Sequence, residues 1–123
     1  MRAWICYDLR TLDNGKSSAR LAHEAIEQLA WADDKPFEAV VLPEHHGCPD
    51  GYLPSPFVLG AAIAARTKRI RLIHAALLPL LNPIRVAEDV ATLDLINVLR
   101  GITVPDVRRT CDVPTARGLP ARE

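Results

Sequence analysis

Three consecutive residues of this sequence could carry acid–base chemistry: Glu44, His45 and His46. They directly follow an apolar run at residues 37–42, and the carboxyl edge of a sheet is where α/β barrel enzymes keep their active sites. A histidine there can exchange a proton near neutral pH, and a neighbouring carboxylate can fix its tautomer. The pattern indicates a proton-transfer site, while the simpler interpretation of an isolated histidine pair is two solvated, inert loop side chains.

The same loop also contains potential metal ligands, namely His45, His46, Cys48 and Asp50. Adjacent residues on an extended segment point in opposite directions, and the sequence has no second His/Cys cluster to complete a tetrahedral site. We therefore predict no metal. Cys48 is interpreted as a bystander thiol, because no Cys-His-Asn or Cys-His-Asp arrangement can be placed around it.

Segments typical of strands and helices alternate around this loop. Short apolar runs predict strands at 3–8, 37–42 and 70–78, and apolar residues at helical spacing predict helices at 18–30, 56–67 and 83–95. Candidate N-caps precede the helices at Ser17 or Ser18, Ser55 and Asn82, and proline follows the last two. Strands joined through helices run parallel, so the predicted fold class is α/β. This periodicity does not separate a doubly wound sheet from the start of a barrel.

Composition excludes several classes of protein. The chain has 123 residues, 49% hydrophobic and 24% charged, and a formal net charge of zero with both signs interspersed. These values are typical of one globular domain and argue against nucleic acid as a partner or a polybasic membrane anchor. No apolar stretch approaches the ~18 residues of a membrane span. Three distant cysteines form no disulfide framework, so we expect a reducing, cytoplasmic location.

Two further polar residues lie near predicted strand ends, Asp8 at the end of the first strand and His74 near the end of the third. Each suits either a ligand contact or an ordinary edge or core position. Trp4 and Trp31 are interpreted as core anchors rather than stacking platforms.

Several ordered motifs together carry a family resemblance. They are VLPEHHG at residues 41–47, GYLPSP at 51–56, AARTKRIRL at 64–72, LPLLNPIRVAED at 78–89 and LDLI at 93–96. In this order and spacing they resemble the bacterial luciferase-like monooxygenase family, over about residues 2 to 97. The resemblance implies residues 1–97 to be the N-terminal portion of a (β/α)8 TIM barrel, with about three of its eight βα units.

The resemblance also implies a function. Family members are oxidoreductases that bind reduced FMN, or coenzyme F420 in one branch, at the carboxyl end of the barrel, and many oxygenate a small organic substrate with dioxygen. The site histidine falls on His45, with Glu44 and His46 beside it. Residues expected to line the cofactor are His74, Ala75, Ala76 and Asp8. The family often has a non-proline cis peptide near residues 74–76, and helices 56–67 and 83–95 form its usual dimer interface.

The resemblance ends near residue 97. Residues 98–123 are rich in arginine and proline, with a short strand conceivable at 101–104 before Pro105, and we expect an otherwise irregular tail. We expect that a frame change or premature stop replaced the remaining units. The alternative to a catalytic function is therefore a truncated, non-catalytic module that dimerises with an intact family member through its second and third helices.

Overall fold

The structure is a computed structural model that describes residues 3–11 and 15–97, together with the backbone of residues 102–103. Its strands are β1 (Ala3–Cys6), β2 (Phe37–Pro43), β3 (Arg71–Ala75) and β4 (Ile102–Thr103). Its α-helices are α1 (Ser18–Ala32), α2 (Pro56–Arg66) and α3 (Pro83–Ile96), with a 3-10 turn at Leu78–Leu80. Within the described segments, no helix is long and apolar enough to cross a bilayer.

The four strands form one parallel sheet in the order β1-β2-β3-β4. Consecutive order with right-handed crossovers places the connecting helices on one face of the sheet. A doubly wound sheet would instead reverse its strand order and carry helices on both faces. The observed order is that of the first units of a (β/α)8 barrel, as the resemblance predicted.

The hydrophobic core lies between the sheet and the helices. Leu29 of α1, Ile63 of α2, and Val40, Leu42 and Leu72 of the strands are fully buried there. Because side chains alternate along a strand, the intervening residues point to the opposite side of the sheet, here called the open face. In a closed barrel the open face would line the interior.

The interpretation of both tryptophans as core anchors is wrong. Trp4 is 60% exposed and Trp31 65% exposed. Trp4 lies beside Ala39 in the parallel register and shares the open face with it, away from the helices. Trp31 lies on the outer side of α1, with the Lys35 ammonium 5.1 Å from its ring centre. The size of the rings suggested burial, but the alternation of side chains along β1 and the position of Trp31 on the outer side of α1 leave both rings exposed.

Two of the three predicted caps are confirmed. The Ser17 side chain accepts a backbone amide of the first turn of α1 at 3.3 Å, and Asn82 accepts two at the start of α3. Ser55 was predicted to cap α2, but its side chain makes no capping hydrogen bond. Pro56 still occupies the first turn, where a residue without an N–H removes one unsatisfied donor.

The third strand is shorter than predicted. The apolar run continues to residue 78, but β3 ends at Ala75, and the Ala76 N–H donates to the His74 carbonyl at 2.9 Å in a tight turn. Hydrophobicity alone did not mark this end, because the turn residues are as apolar as the strand. The short strand expected at 101–104 is observed as β4, and the rest of the predicted tail lies outside the described residues.

Asp33 connects the end of α1 to the start of β3. Its buried carboxylate accepts the backbone N–H groups of Lys68, Arg69 and Ile70 at 2.7, 2.8 and 2.9 Å. In the structure it satisfies three consecutive amides at the amino edge of the sheet, which is the edge that stabilises barrel folds.

Removal of this carboxylate should destabilise the fold. We expect Asp33→Ala to lower the free energy of unfolding by about 2 to 4 kcal/mol, because it leaves part-buried amides without their acceptor. The exposed neighbour Asp34 provides the matched control, Asp34→Ala. Urea unfolding of the three proteins measures the difference, and equal effects of both substitutions would contradict the role of Asp33.

His74 is a buried core residue on the helix side of β3. Its ring stacks on Phe57 with centroids 4.7 Å apart, and a Cβ at Gly60 would collide with it. Neither ring nitrogen makes a well-formed hydrogen bond within the described residues. Burial lowers the pKa of His74 to about 4, and the nearby carbonyl of Pro56 opposes this shift only in part.

The neutral imidazole of His74 should make stability depend on pH. The unfolded chain binds a proton near pH 6.5 and the folded chain only near 4, so stability is lost as the pH falls through this window, by up to about 3 kcal/mol. We expect His74→Leu to lose less stability than the wild type between pH 7 and about pH 4.5. Urea unfolding at both pH values measures this, with exposed His23→Leu as control. Equal acid sensitivity of wild type and His74→Leu would contradict it.

Candidate functional site

The predicted site residues meet at the carboxyl edge of the sheet. Asp8 follows β1 by two residues, Glu44 and His45 directly follow β2, and Ala75 ends β3. The parallel register places Pro43 of β2 beside Ala75 of β3. This edge is therefore built by three strands whose ends are widely separated in sequence.

Glu44 joins β2 to the segment that follows β3. Its buried carboxylate accepts the Leu77 N–H at 2.8 Å, and its own N–H donates to the Ala75 carbonyl at 3.1 Å. The second carboxylate oxygen lies 2.6 Å from Nε2 of His46, whose side chain is 43% exposed. Glu44 thus fixes both the backbone beyond β3 and the orientation of the His46 ring.

His45 turns away from Glu44 and contacts a different part of the loop. Its ring lies against Tyr52, with centroids 4.0 Å apart and planes inclined by 35°. Its backbone N–H donates to the Leu53 carbonyl at 2.9 Å, so the loop folds back over the residue. The adjacent histidines consequently have separate environments, one held by a carboxylate and the other by an aromatic ring.

The surroundings of His45 favour the neutral imidazole. Partial burial lowers its pKa, and the positive charge of Arg10 lowers that pKa further, with a smaller effect from His46. The carboxylates of Asp50 and Asp8 oppose this shift. A neutral imidazole at this edge can accept a proton from a bound molecule.

Asp8 is paired with Arg10. The Arg10 guanidinium binds both carboxylate oxygens, with Nε 2.8 Å from Oδ1, and this contact lowers the pKa of Asp8. The same guanidinium lies 5.6 Å from the centre of the Tyr52 ring. Asp8, Arg10, His45 and Tyr52 therefore form one polar and aromatic cluster.

Arg10 and Tyr52 were not predicted as site residues from the sequence. The signals were an arginine two residues after the aspartate at a strand end, and the turn-forming Gly51 before the tyrosine. Gly51 has a φ of 70°, and the Asp50 carbonyl accepts the Thr11 N–H at 2.8 Å, which draws the loop toward the end of β1. Only the folded loop shows that these signals converge.

The predicted cofactor residues on β3 differ in where their side chains point. His74 faces α2 and the core, whereas Ala75 alternates to the open face. Ala76 is buried in the turn that follows. The cis peptide expected near residues 74–76 is absent, since every peptide bond of the described residues is trans.

The possible metal ligands do not assemble within the described residues. No group of three His, Cys, Asp or Glu side chains there could hold a metal ion. His45 and His46 turn to different neighbours, and the Cys48 thiol lies 3.7 Å from the His46 carbonyl oxygen. The arrangement supports acid–base chemistry at two differently held histidines.

Comparison with known proteins identifies relatives of this chain. A curated relative, the uncharacterized protein y4wF of Sinorhizobium fredii, is 34% identical over 83 residues, which cover 67% of this chain and 24% of that protein. The monooxygenase RslO1 from Streptomyces bottropensis is 32% identical with a TM-score of 0.74, and the match covers 85% of this chain and 32% of RslO1. Apo-MsnO8 is 30% identical with a TM-score of 0.75, and the match covers 84% of this chain and 31% of MsnO8.

A third solved structure shares the fold at lower identity. The oxygenating constituent of 3,6-diketocamphane monooxygenase from Pseudomonas putida, in complex with FMN, is 23% identical with a TM-score of 0.75, covering 89% of this chain and 30% of its own. The chain thus spans about a quarter to a third of the length of these relatives. The sequence model of the luciferase-like monooxygenases matches residues 5–97, which is most of the chain. With its barrel-type strand order and its histidines at the carboxyl edge, this chain belongs to the luciferase-like monooxygenase family.

Proposed function

We propose that this chain forms part of the flavin site of a flavin-dependent monooxygenase acting on a small organic substrate. The observation that carries the proposal is the convergence of His45, the Glu44–His46 pair and the open face around Ala75 at one edge of the sheet. When bound, reduced flavin supplies the electrons with which dioxygen is activated. The residues of this chain provide the surface, the backbone geometry and the proton-transfer group.

The open face near this edge fits a flat, largely apolar ring. Pro43 and Ala75 are neighbours in the register, and Val41 and Ile73 are the next pair on the same face. All four side chains are uncharged, and Ala75 presents only a methyl group. Glu44 meanwhile binds the Leu77 N–H, which holds the following backbone in place.

FMN is the flavin that the comparisons support. The 3,6-diketocamphane monooxygenase constituent was solved in complex with FMN. At 23% identity that structure shows that the fold is shared, and we propose that this chain binds the same cofactor. Coenzyme F420, the other cofactor predicted from the resemblance, is a separate arm of the test.

His45 is the proposed proton-transfer residue. Its ring is held at the carboxyl edge, and burial together with Arg10 keeps its pKa below the ordinary value, so the imidazole is neutral and able to accept a proton at neutral pH. His46 is held by Glu44 and remains partly exposed, which suits a second proton carrier to solvent. Glu44 acts as a positioning residue, because both of its carboxylate oxygens already have partners.

The first test is a titration with reduced FMN. We expect saturable binding under anaerobic conditions, measured by flavin fluorescence, and about tenfold weaker binding by Ala75→Leu, because a branched side chain on the open face would obstruct the ring. Ala19→Leu, at an exposed position of α1, is the matched control and should bind as the wild type does.

Three outcomes would count against the proposal. The first is the absence of saturable binding to both reduced FMN and F420. The second is an equal effect of Ala75→Leu and Ala19→Leu, which would show that the flavin does not bind to the open face. The third is binding of F420 alone, which would replace FMN as the cofactor.

A second function, dimerisation through α2 and α3, is favoured by a separate observation. Ile84 and Leu95 of α3 are 69% and 73% exposed, and Val58 of α2 is also largely exposed. A shallow groove of about 210 Å³ lies between the two helices, with Phe57, Ala61, Leu93 and Ile96 among its lining residues. Isolated apolar residues on a surface are ordinary, but several around one groove indicate an interaction site.

This surface should support self-association. We expect the purified chain to sediment as a dimer and Leu95→Glu to weaken the association at least about tenfold, because the interface would have to bury an unpaired carboxylate. His23→Glu adds the same charge to an exposed position of α1 and serves as control. A wild-type chain that remains monomeric at all concentrations in sedimentation equilibrium would exclude the homodimer.

A further inference from the structure

The loop between β2 and α2 brings an aromatic ring against the proposed proton-transfer residue. Tyr52 and His45 are seven positions apart in sequence, yet their ring centroids are 4.0 Å apart. The inclination of 35° lies between stacked and edge-on geometry, so one face of the imidazole is covered by the phenol ring.

The backbone around Tyr52 holds this ring in place. The Tyr52 N–H donates to Oδ1 of Asp50 at 3.1 Å, and the Asp50 carbonyl accepts both the N–H and the hydroxyl of Thr11, at 2.8 and 2.6 Å. Gly51 supplies the left-handed backbone conformation, and a Cβ there would approach the Ser18 hydroxyl to 2.5 Å. The loop that carries Tyr52 is therefore held by Thr11, in the segment after β1, and passes close to Ser18 at the start of α1.

We propose that Tyr52 is a positioning residue for His45, fixing the plane and the exposure of the imidazole at the carboxyl edge of the sheet. The proposal deepens the function proposed above, since it rests on His45 as the proton-transfer residue. Tyr52 acts through its ring face. Its hydroxyl is not needed for this contact, so phenylalanine should replace it and an aliphatic side chain should not.

The charges that face His45 come from several elements. Arg10, after β1, and the adjacent His46 favour its neutral form, whereas Asp8 after β1 and Asp50 in the loop favour its protonated form. Burial is the largest influence on the pKa of His45. Tyr52 is in direct ring contact with His45, so replacing the ring should open the imidazole to water without changing any of these four charges.

The experiment is an NMR titration of the four histidines in the full chain without cofactor, with the His45 signals assigned by His45→Gln. We expect nuclear Overhauser effects between the His45 and Tyr52 rings, and a His45 pKa below 6.5. In Tyr52→Leu that pKa should rise by about 0.5 or more as desolvation is lost, and in Tyr52→Phe it should stay within about 0.2 of the wild-type value.

Two controls separate positioning from general packing. Tyr7→Leu removes the other tyrosine, whose hydroxyl donates to Gln28 of α1, and should leave the His45 pKa unchanged. Arg10→Gln should raise that pKa through charge while the effects between the His45 and Tyr52 rings persist. The wild-type spectrum tests the ring contact even if Tyr52→Leu fails to fold.

Several results would overturn the proposal. They are the absence of Overhauser effects between the two rings in the wild type, an unchanged His45 pKa in Tyr52→Leu, or equal shifts in Tyr52→Leu and Tyr52→Phe. Failure of the wild type to bind reduced FMN, with the expected titration intact, would instead reject the proposed function and leave the positioning of His45 by Tyr52 standing.

Discussion

The parallel pairing of β2 with β3 is the interaction on which the rest of this structure depends. It joins the centre of the core to the carboxyl edge, and a buried carboxylate secures it at each end. Asp33 accepts three amides at the amino end of β3, and Glu44 accepts the Leu77 N–H beyond its carboxyl end. Both carboxylates bind backbone N–H groups that the sheet itself does not satisfy, so they stabilise the strand ends where the ladder stops.

Glu44 also explains why three adjacent residues have three different environments. Because it turns inward to reach the segment after β3, the next side chain turns outward to the loop and contacts Tyr52. The third residue, His46, is exposed to solvent, and its ring contacts the Glu44 carboxylate. A single buried anchor thus separates a shielded histidine from an exposed one, which would allow a proton to be accepted at one ring and exchanged with water near the other.

The sheet has two unlike faces, and this difference organises the surfaces of the molecule. The helix side carries the core and fully buries His74, whose depressed pKa follows from that burial. The open face carries compact apolar side chains at the carboxyl edge and an exposed Trp4 near the amino edge. Further apolar surface lies on the outer side of α3, at Ile84 and Leu95. These surfaces are distinct, so flavin binding and self-association would not compete for the same residues.

Much of the fold could be predicted from local patterns. Apolar spacing located α1, α2 and α3 to within a few residues, and Ser17 and Asn82 marked two helix starts because side-chain caps act on neighbouring amides. The position of β2 and the loop histidines after it were also predictable. The end of β3 was not, because its apolar run continues into the turn at Ala76 without any change in hydrophobicity.

The sequence by itself determined the order of the elements, the parallel direction of the strands and the place of Glu44, His45 and His46 at the end of one of them. The strand order of the tertiary structure confirmed the barrel start that the family resemblance predicted and that periodicity had left open, and only the tertiary structure decided the outward positions of Trp4 and Trp31. It alone brought Tyr52 and Arg10 to His45 and turned His74 toward α2. The physical reason is that local propensities act over a few neighbouring residues, whereas these contacts depend on how distant strand ends and loops pack together.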